Sequence, residues 1–270
     1  MPHAHPGLGF RKGLGVLVLV IVSQRSSVAG VSNPRVAECV LAALRKTPIG
    51  DAAVLVGSSG LFGFTTTVPA LTEDIDVAIP EELVQQQGRE IVENLTHQGF
   101  VHEPGTATFV GPEGMVFDLL GYGDPEEGDH IGGVAPLRVM VFEDLSRIVG
   151  ALGAIAPLPQ GGQGLTPAGF VVSKLLTERA HKGTKDKIQA LLVLEERAGQ
   201  ASFEESVSYL FRSFEPFRLE DVRASAHDAL LALGEDPHFH DAGAEGYASV
   251  VHRVQRGYQE LLRILGRAHG

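Results

Sequence analysis

Between Pro34 and Lys46 the apolar residues Val36, Val40, Leu41 and Leu44 fall on one side of a helical period and predict an amphipathic helix. Ser32 or Asn33 can cap it, and Pro34 suits its first turn. Ala52–Val56 reads as a short buried strand, and Gly57–Gly63 as a glycine-serine turn leading into a short helix. From Thr72 to Ile79 the period changes to two, with Ile75, Val77 and Ile79 on one side of a second strand. Pro80, Glu81 and Glu82 open a helix that runs to about Gln98; acidic residues in a first turn suit the helix dipole, and Gly99 ends it. Phe100–His102, Thr106–Val110 and Met115–Leu120 predict a meander of short strands joined by glycine-proline turns. Tyr122–Gly133 carries Asp124, Glu126, Glu127 and Asp129 and reads as a polar loop, and Arg138–Phe142 as a further strand.

The pattern then changes. Pro157–Gly164 is rich in glycine, proline and glutamine and predicts a connector at a domain boundary. Beyond Leu165 the chain is helical: a helix from Thr166-Pro167 through Leu176, then Asp186–Ala198, Ser202–Arg212, Leu219–Leu233 and Ala244–Leu265. The predicted class is α+β, a sheet with flanking helices followed by a C-terminal helical bundle. The predicted units are residues 32–160 and 161–270, with residues 1–31 as an N-terminal extension.

Composition narrows the function classes. The 270 residues are 44% apolar, enough for a sizeable core, and the net charge of −11 gives no global basic signature of a nucleic-acid binder. The single cysteine, Cys39, excludes an intramolecular disulfide and any Cys-x-x-Cys metal site, and its place in VAECVLAAL predicts a small core residue. Near the N-terminus Arg11 and Lys12 precede an apolar run, Leu14–Val22, and then Ser27-Val28-Ala29-Gly30. That order resembles a secretory signal, and the run is shorter than the ~20 apolar residues that span a membrane. An extra strand and a start codon set too far upstream are the two other readings, and together they are favoured over a signal.

The chemistry concentrates in three acidic positions. Asp74 and Asp76 are separated by one residue on an extended chain, so their carboxylates share a face. Asp118 interrupts the apolar run Met115-Val116-Phe117-Asp118-Leu119-Leu120, where a carboxylate has no packing rationale. If its strand lies beside that of Asp74 and Asp76, three like charges meet at a sheet surface and call for a cation. Hard divalent ions take such oxygens and leave positions for substrate phosphates. Upstream, Gly57-Ser58-Ser59 supplies a glycine for close backbone approach to a phosphate, amides that favour anions, and a hydroxyl on Ser58 able to donate.

A strand ending in Gly57-Ser58, a spacer, Asp74-x-Asp76 and a later strand aspartate, Asp118, resembles the DNA polymerase β-like nucleotidyltransferase superfamily. Lys174 to Leu191 is similar to the helix-turn-helix segment of the AbiEii/MenT-type, toxin-like branch, and the resemblance covers roughly Ala52 to Leu194. It implies a bilobed fold with a mixed sheet. It also implies transfer of a nucleoside monophosphate from NTP to a hydroxyl with two Mg2+ ions. In that reading Gly57 and Ser58 hold the triphosphate. Asp74, Asp76 and Asp118 ligate metal, and Asp118 also serves as base. Lys174 reaches the phosphates, Lys182 and Lys185 line the cleft, and Asp186 orients a neighbouring basic residue. The branch implies an RNA acceptor such as tRNA and an antitoxin partner; a site that spends nucleoside triphosphate implies a cytoplasmic location without membrane association. For RNA, a patch of Lys174, Arg179, Lys182, Lys185 and Lys187 would have to offset the acidic charge. The chain departs from the pattern in its long spacer with Thr65-Thr66-Thr67, and in Leu71-Thr72-Glu73 where the family often has an arginine.

Two alternatives stand beside this reading: a catalytically silent nucleotide-binding or interaction module of the same fold, and a small-molecule, aminoglycoside-type nucleotidyltransferase with acceptor acids from Asp124 to Asp129. His238-Phe239-His240-Asp241 reads as an inter-helix segment rather than a metal site, and His97, His102 and His130 have no evident partner.

Overall fold

The structure is a computed structural model and describes residues 34–70, 74–159, 161–177, 183–233 and 243–268. The N-terminal run, Leu71-Thr72-Glu73, Arg179, Lys182 and the His238–Asp241 segment therefore lie outside the described residues.

The first half builds a nine-stranded mixed sheet. Helix α1 (Pro34–Leu44) precedes strand β1 (Val54–Leu55), a 3-10 turn (Gly57–Gly63) and β2 (Ile75–Pro80). Helix α2 (Glu81–His97) leads into β3 (Val101–His102), β4 (Thr108–Val110) and β5 (Val116–Tyr122). Strands β6 (His130–Val134) and β7 (Leu137–Val141), helix α3 (Glu143–Gly150), and strands β8 (Ile155–Pro157) and β9 (Gln163–Leu165) complete it. The order is β3-β4-β5-β2-β1-β9-β8, with β7 joined in parallel to the far end of β5 and β6 beyond it. The predicted meander β3-β4-β5 is present and antiparallel.

Three expectations need correction. The acidic stretch after Tyr122 is not all loop, because its end forms β6, paired along its whole length with β7. The connector at Pro157–Gly164 is the β8–β9 hairpin, and β9 pairs in parallel with β1. Backbone hydrogen bonding there does not depend on an apolar pattern, so the glycine-rich composition hid the strands. Cys39 is exposed on the outer face of α1, while Ala37, Val40 and Leu41 face the core.

The second half is helical: α4 (Pro167–Leu176), α5 (Gly183–Glu196), α6 (Ala201–Phe211), α7 (Pro216–Ala232) and α8 (Gly243–Ala268). The Thr166 hydroxyl caps α4 by accepting from the Gly169 amide at 3.1 Å. Helix α8 crosses α5 closely at Gly257, where a Cβ would come within 1.9 Å of the Leu191 carbonyl. Among the described residues no helix is long and apolar enough to cross a membrane.

The alternation in β2 and β5 divides the apolar residues between two cores. Ile75, Val77, Ile79, Phe117 and Leu119 pack with α1, α2 and β7. Ala78 and the flank of β1 pack with α3 and the helical half, joined by Leu120 and Tyr122. Asp76 and Asp118 alternate with the first set. They therefore stand on the sheet face that looks toward the helices.

Candidate active site

Strands β2 and β5 run parallel with Asp76 directly opposite Asp118. Asp74 lies at the bend just before β2, half-buried, and Asp76 is 9% exposed. One carboxylate oxygen from each of Asp74, Asp76 and Asp118 lies within 4.8 Å of the others. The predicted cluster is thus brought together, and its donor set is all hard oxygen, which suits Mg2+, Mn2+ or Ca2+. The backbone beside it also fits. Gly57 adopts φ +59°, and a Cβ there would sit 1.9 Å from Oδ2 of Asp76. Only glycine satisfies both the left-handed conformation and that approach.

Ser59, fully buried, ties the glycine turn to the acidic strand. Its hydroxyl accepts from the Asp76 amide at 3.2 Å and lies 2.6 Å from the Val56 carbonyl and 3.1 Å from that of Asp76, to which it can donate. Ser58 is placed differently from the expectation. It is 3% exposed, donates its hydroxyl to Oε1 of Gln189 at 2.9 Å and accepts from Nζ of Lys174 at 3.1 Å. The Ser58 proton is therefore engaged internally, which leaves anion contacts at this turn to backbone amides.

Lys174 and Asp186 form a buried ion pair, Nζ to Oδ1 2.5 Å, with side-chain exposures of 6% and 3%. Asp186, expected to orient a neighbouring basic residue, contacts Lys174. Gln189 extends the network by donating to the Pro69 carbonyl at 2.8 Å, so one side chain links the glycine turn to a later point in the spacer. Thr66 and Thr67 are fastened to Glu196 of α5, which the Thr67 hydroxyl and amide, with that of Thr66, hold below its usual range against the opposing effect of burial. Lys187 is buried, and its Nζ donates to the carbonyls of Lys174, Leu175 and Thr177 at the end of α4. Of the expected patch, Lys174 and Lys187 are buried among internal partners rather than facing outward. Lys185 lies in the first turn of α5, half-buried.

A cavity of about 210 Å³ opens beside this network. Gly57, Leu120, Phe142, Lys174, Asp186 and Arg218 of α7 are among the residues that line it. Arg218 pairs with Asp144, whose carboxyl is pushed up by burial despite the pull of that guanidinium. Sequence reasoning missed Ser59 as a tether, Gln189, Arg218 and Thr108. The Thr108 hydroxyl donates to Oδ1 of Asp118 at 2.5 Å from the neighbouring strand. A threonine in a strand was the visible signal for it; the register that aims it at Asp118 was not.

His130 does have partners, contrary to expectation. Its Nδ1 meets the Gly128 carbonyl at 2.9 Å, and its Nε2 lies 3.1 Å from Glu81 and 3.6 Å from Glu127. The Gly128 hydrogen bond, then the one to Glu81, raise its pKa.

Compared with known proteins, the chain matches no family model and no curated protein.

Proposed function

We propose that the chain is a divalent-metal-dependent nucleotidyltransferase that joins a nucleoside monophosphate from NTP to a hydroxyl acceptor. The observation that carries this reading is the convergence of Asp74, Asp76 and Asp118 within 4.8 Å beside a turn whose Gly57 admits no side chain. The cavity next to it, with Lys174 in its wall, supports the placement of phosphates there.

Asp74, Asp76 and Asp118 would hold Mg2+, which when bound neutralises phosphate charge and supports displacement at phosphorus. The remaining work falls to the chain. The backbone amides after Gly57 and the Lys174 ammonium bind the triphosphate. The acceptor hydroxyl oxygen attacks the α-phosphorus as the bond to pyrophosphate breaks, and Asp118 takes the hydroxyl proton. The hydrogen bonds of the buried Ser59 hydroxyl to the Asp76 backbone keep the glycine turn in register with the acidic strand.

The reading is tested by incubating the full chain with each α-labelled NTP and Mg2+ or Mn2+, then following label into RNA, protein and small hydroxyl acceptors, tRNA and aminoglycosides among them. Metal-dependent transfer is the expected result. Absence of transfer and of NTP binding with every metal would remove the reading. Metal-dependent NTP binding without transfer would favour the silent-module alternative.

A further inference from the structure

Asp118 sits in a row across three strands. On one side, in β2, Asp76 lies directly opposite it, and on the other, in β4, Thr108 does. A carboxylate so close to a second carboxylate is pushed away from it by like charge. The Thr108 hydroxyl, 2.5 Å from Oδ1 on the other side, supplies a short charge-assisted hydrogen bond that holds the carboxylate there. The backbone that carries this hydroxyl is itself held in place. The Thr108 amide donates to the Thr106 hydroxyl at 3.1 Å, and the Thr106 hydroxyl donates to the Glu103 carbonyl at 2.8 Å. A β-branched residue is also stiff about its first side-chain torsion, so the donor does not wander.

Strand propensity and packing at this position would be met as well by valine. What valine lacks is the donor. We propose that Thr108 is a positioning residue: by engaging Oδ1 it fixes the torsion of Asp118 and presents Oδ2 to the cation and the acceptor. The consequence for transfer rests on the nucleotidyltransferase reading, whereas the consequence for metal affinity rests only on the carboxylate cluster.

The test follows Mn2+ binding to the full chain, without nucleotide, by the electron paramagnetic resonance of free Mn2+. Thr108→Val is expected to weaken binding by about 10-fold or more, the range found when a residue that orients a metal ligand is lost. Thr108→Ser, which keeps the donor, is expected to bind about as tightly as the native chain. Thr108→Ala removes the hydroxyl without adding a methyl, and it takes the same two readings if Thr108→Val does not fold. Native-like Mn2+ affinity in a folded chain without the hydroxyl would overturn the positioning role and leave the nucleotidyltransferase reading in place. Failure of the native chain to bind Mn2+ would overturn both.

Discussion

Among the described residues, two clusters each bring three candidate ligand atoms within 4.8 Å: Asp74, Asp76 and Asp118 at the cleft, and Glu81, Glu127 and His130 at the start of α2. They differ in where the positive charge comes from. The second contains a group able to supply it, because His130, whose pKa is raised, faces both glutamates while its other nitrogen is held by Gly128. The first is built of acids alone, backs onto a glycine with no room for a side chain, and adjoins a cavity. Proximity of acids is therefore a weak guide, and the composition of the cluster and what it faces decide its role. Glu204 repeats the self-neutralised case. Arg263 and Arg267 of α8 both reach it, and the Arg263 hydrogen bond, above all, lowers its pKa to about 2.

The comparison can be broken most sharply by removing metal. Chelation is expected to abolish label transfer while circular dichroism stays unchanged, because the cores on both faces of the sheet do not depend on the cluster. The next largest effect concerns a pair that carries its own counter-charge. Lys174→Met leaves Asp186 buried without this cation, and chemical denaturation is expected to show a loss of about 3–5 kcal/mol. Gly57→Ala should be milder for folding, with about 1–2 kcal/mol for the left-handed conformation and more for displacing Asp76. Its transfer activity should fall further than its stability.

The smallest effects are the pH dependences, and they run in opposite directions. His130 has a raised pKa, so its contribution is full below the ordinary value of 6.5 and fades as pH rises through the folded value. The stability gap between native and His130→Gln, read by urea melts, should therefore close on the alkaline side. Glu204 has a lowered pKa, so its contribution is present above 4.5 and is lost as pH falls toward about 2. The gap between native and Glu204→Gln should close on the acid side. A triad variant should show neither profile as its main defect.

Much of the site was legible because it depends on short-range periods. The Asp74-x-Asp76 spacing and the lone aspartate in an apolar strand place carboxylates on one face whatever the rest of the chain does. That Asp118 lies opposite Asp76 is a matter of register between strands separated by α2 and a hairpin, and the sequence offered it only as a condition. The direction of the Ser58 hydroxyl was not legible, because it is set by Gln189 on a helix far along the chain. Strand β6 was hidden by Gly132 and Gly133 and by the acids before it, and α3 is too short to stand out from its surroundings. Cys39 was misplaced although the helical period that buries Val40 already turns it outward.

The most direct test of the central claim compares Asp76→Ala with Glu127→Ala in the NTP label-transfer assay with Mg2+. The account predicts that Asp76→Ala loses about 10³-fold or more, as several kcal/mol of lost transition-state stabilisation would require, while Glu127→Ala transfers at nearly the native rate. Native-like transfer by Asp76→Ala, or an equal loss in both variants, would contradict it.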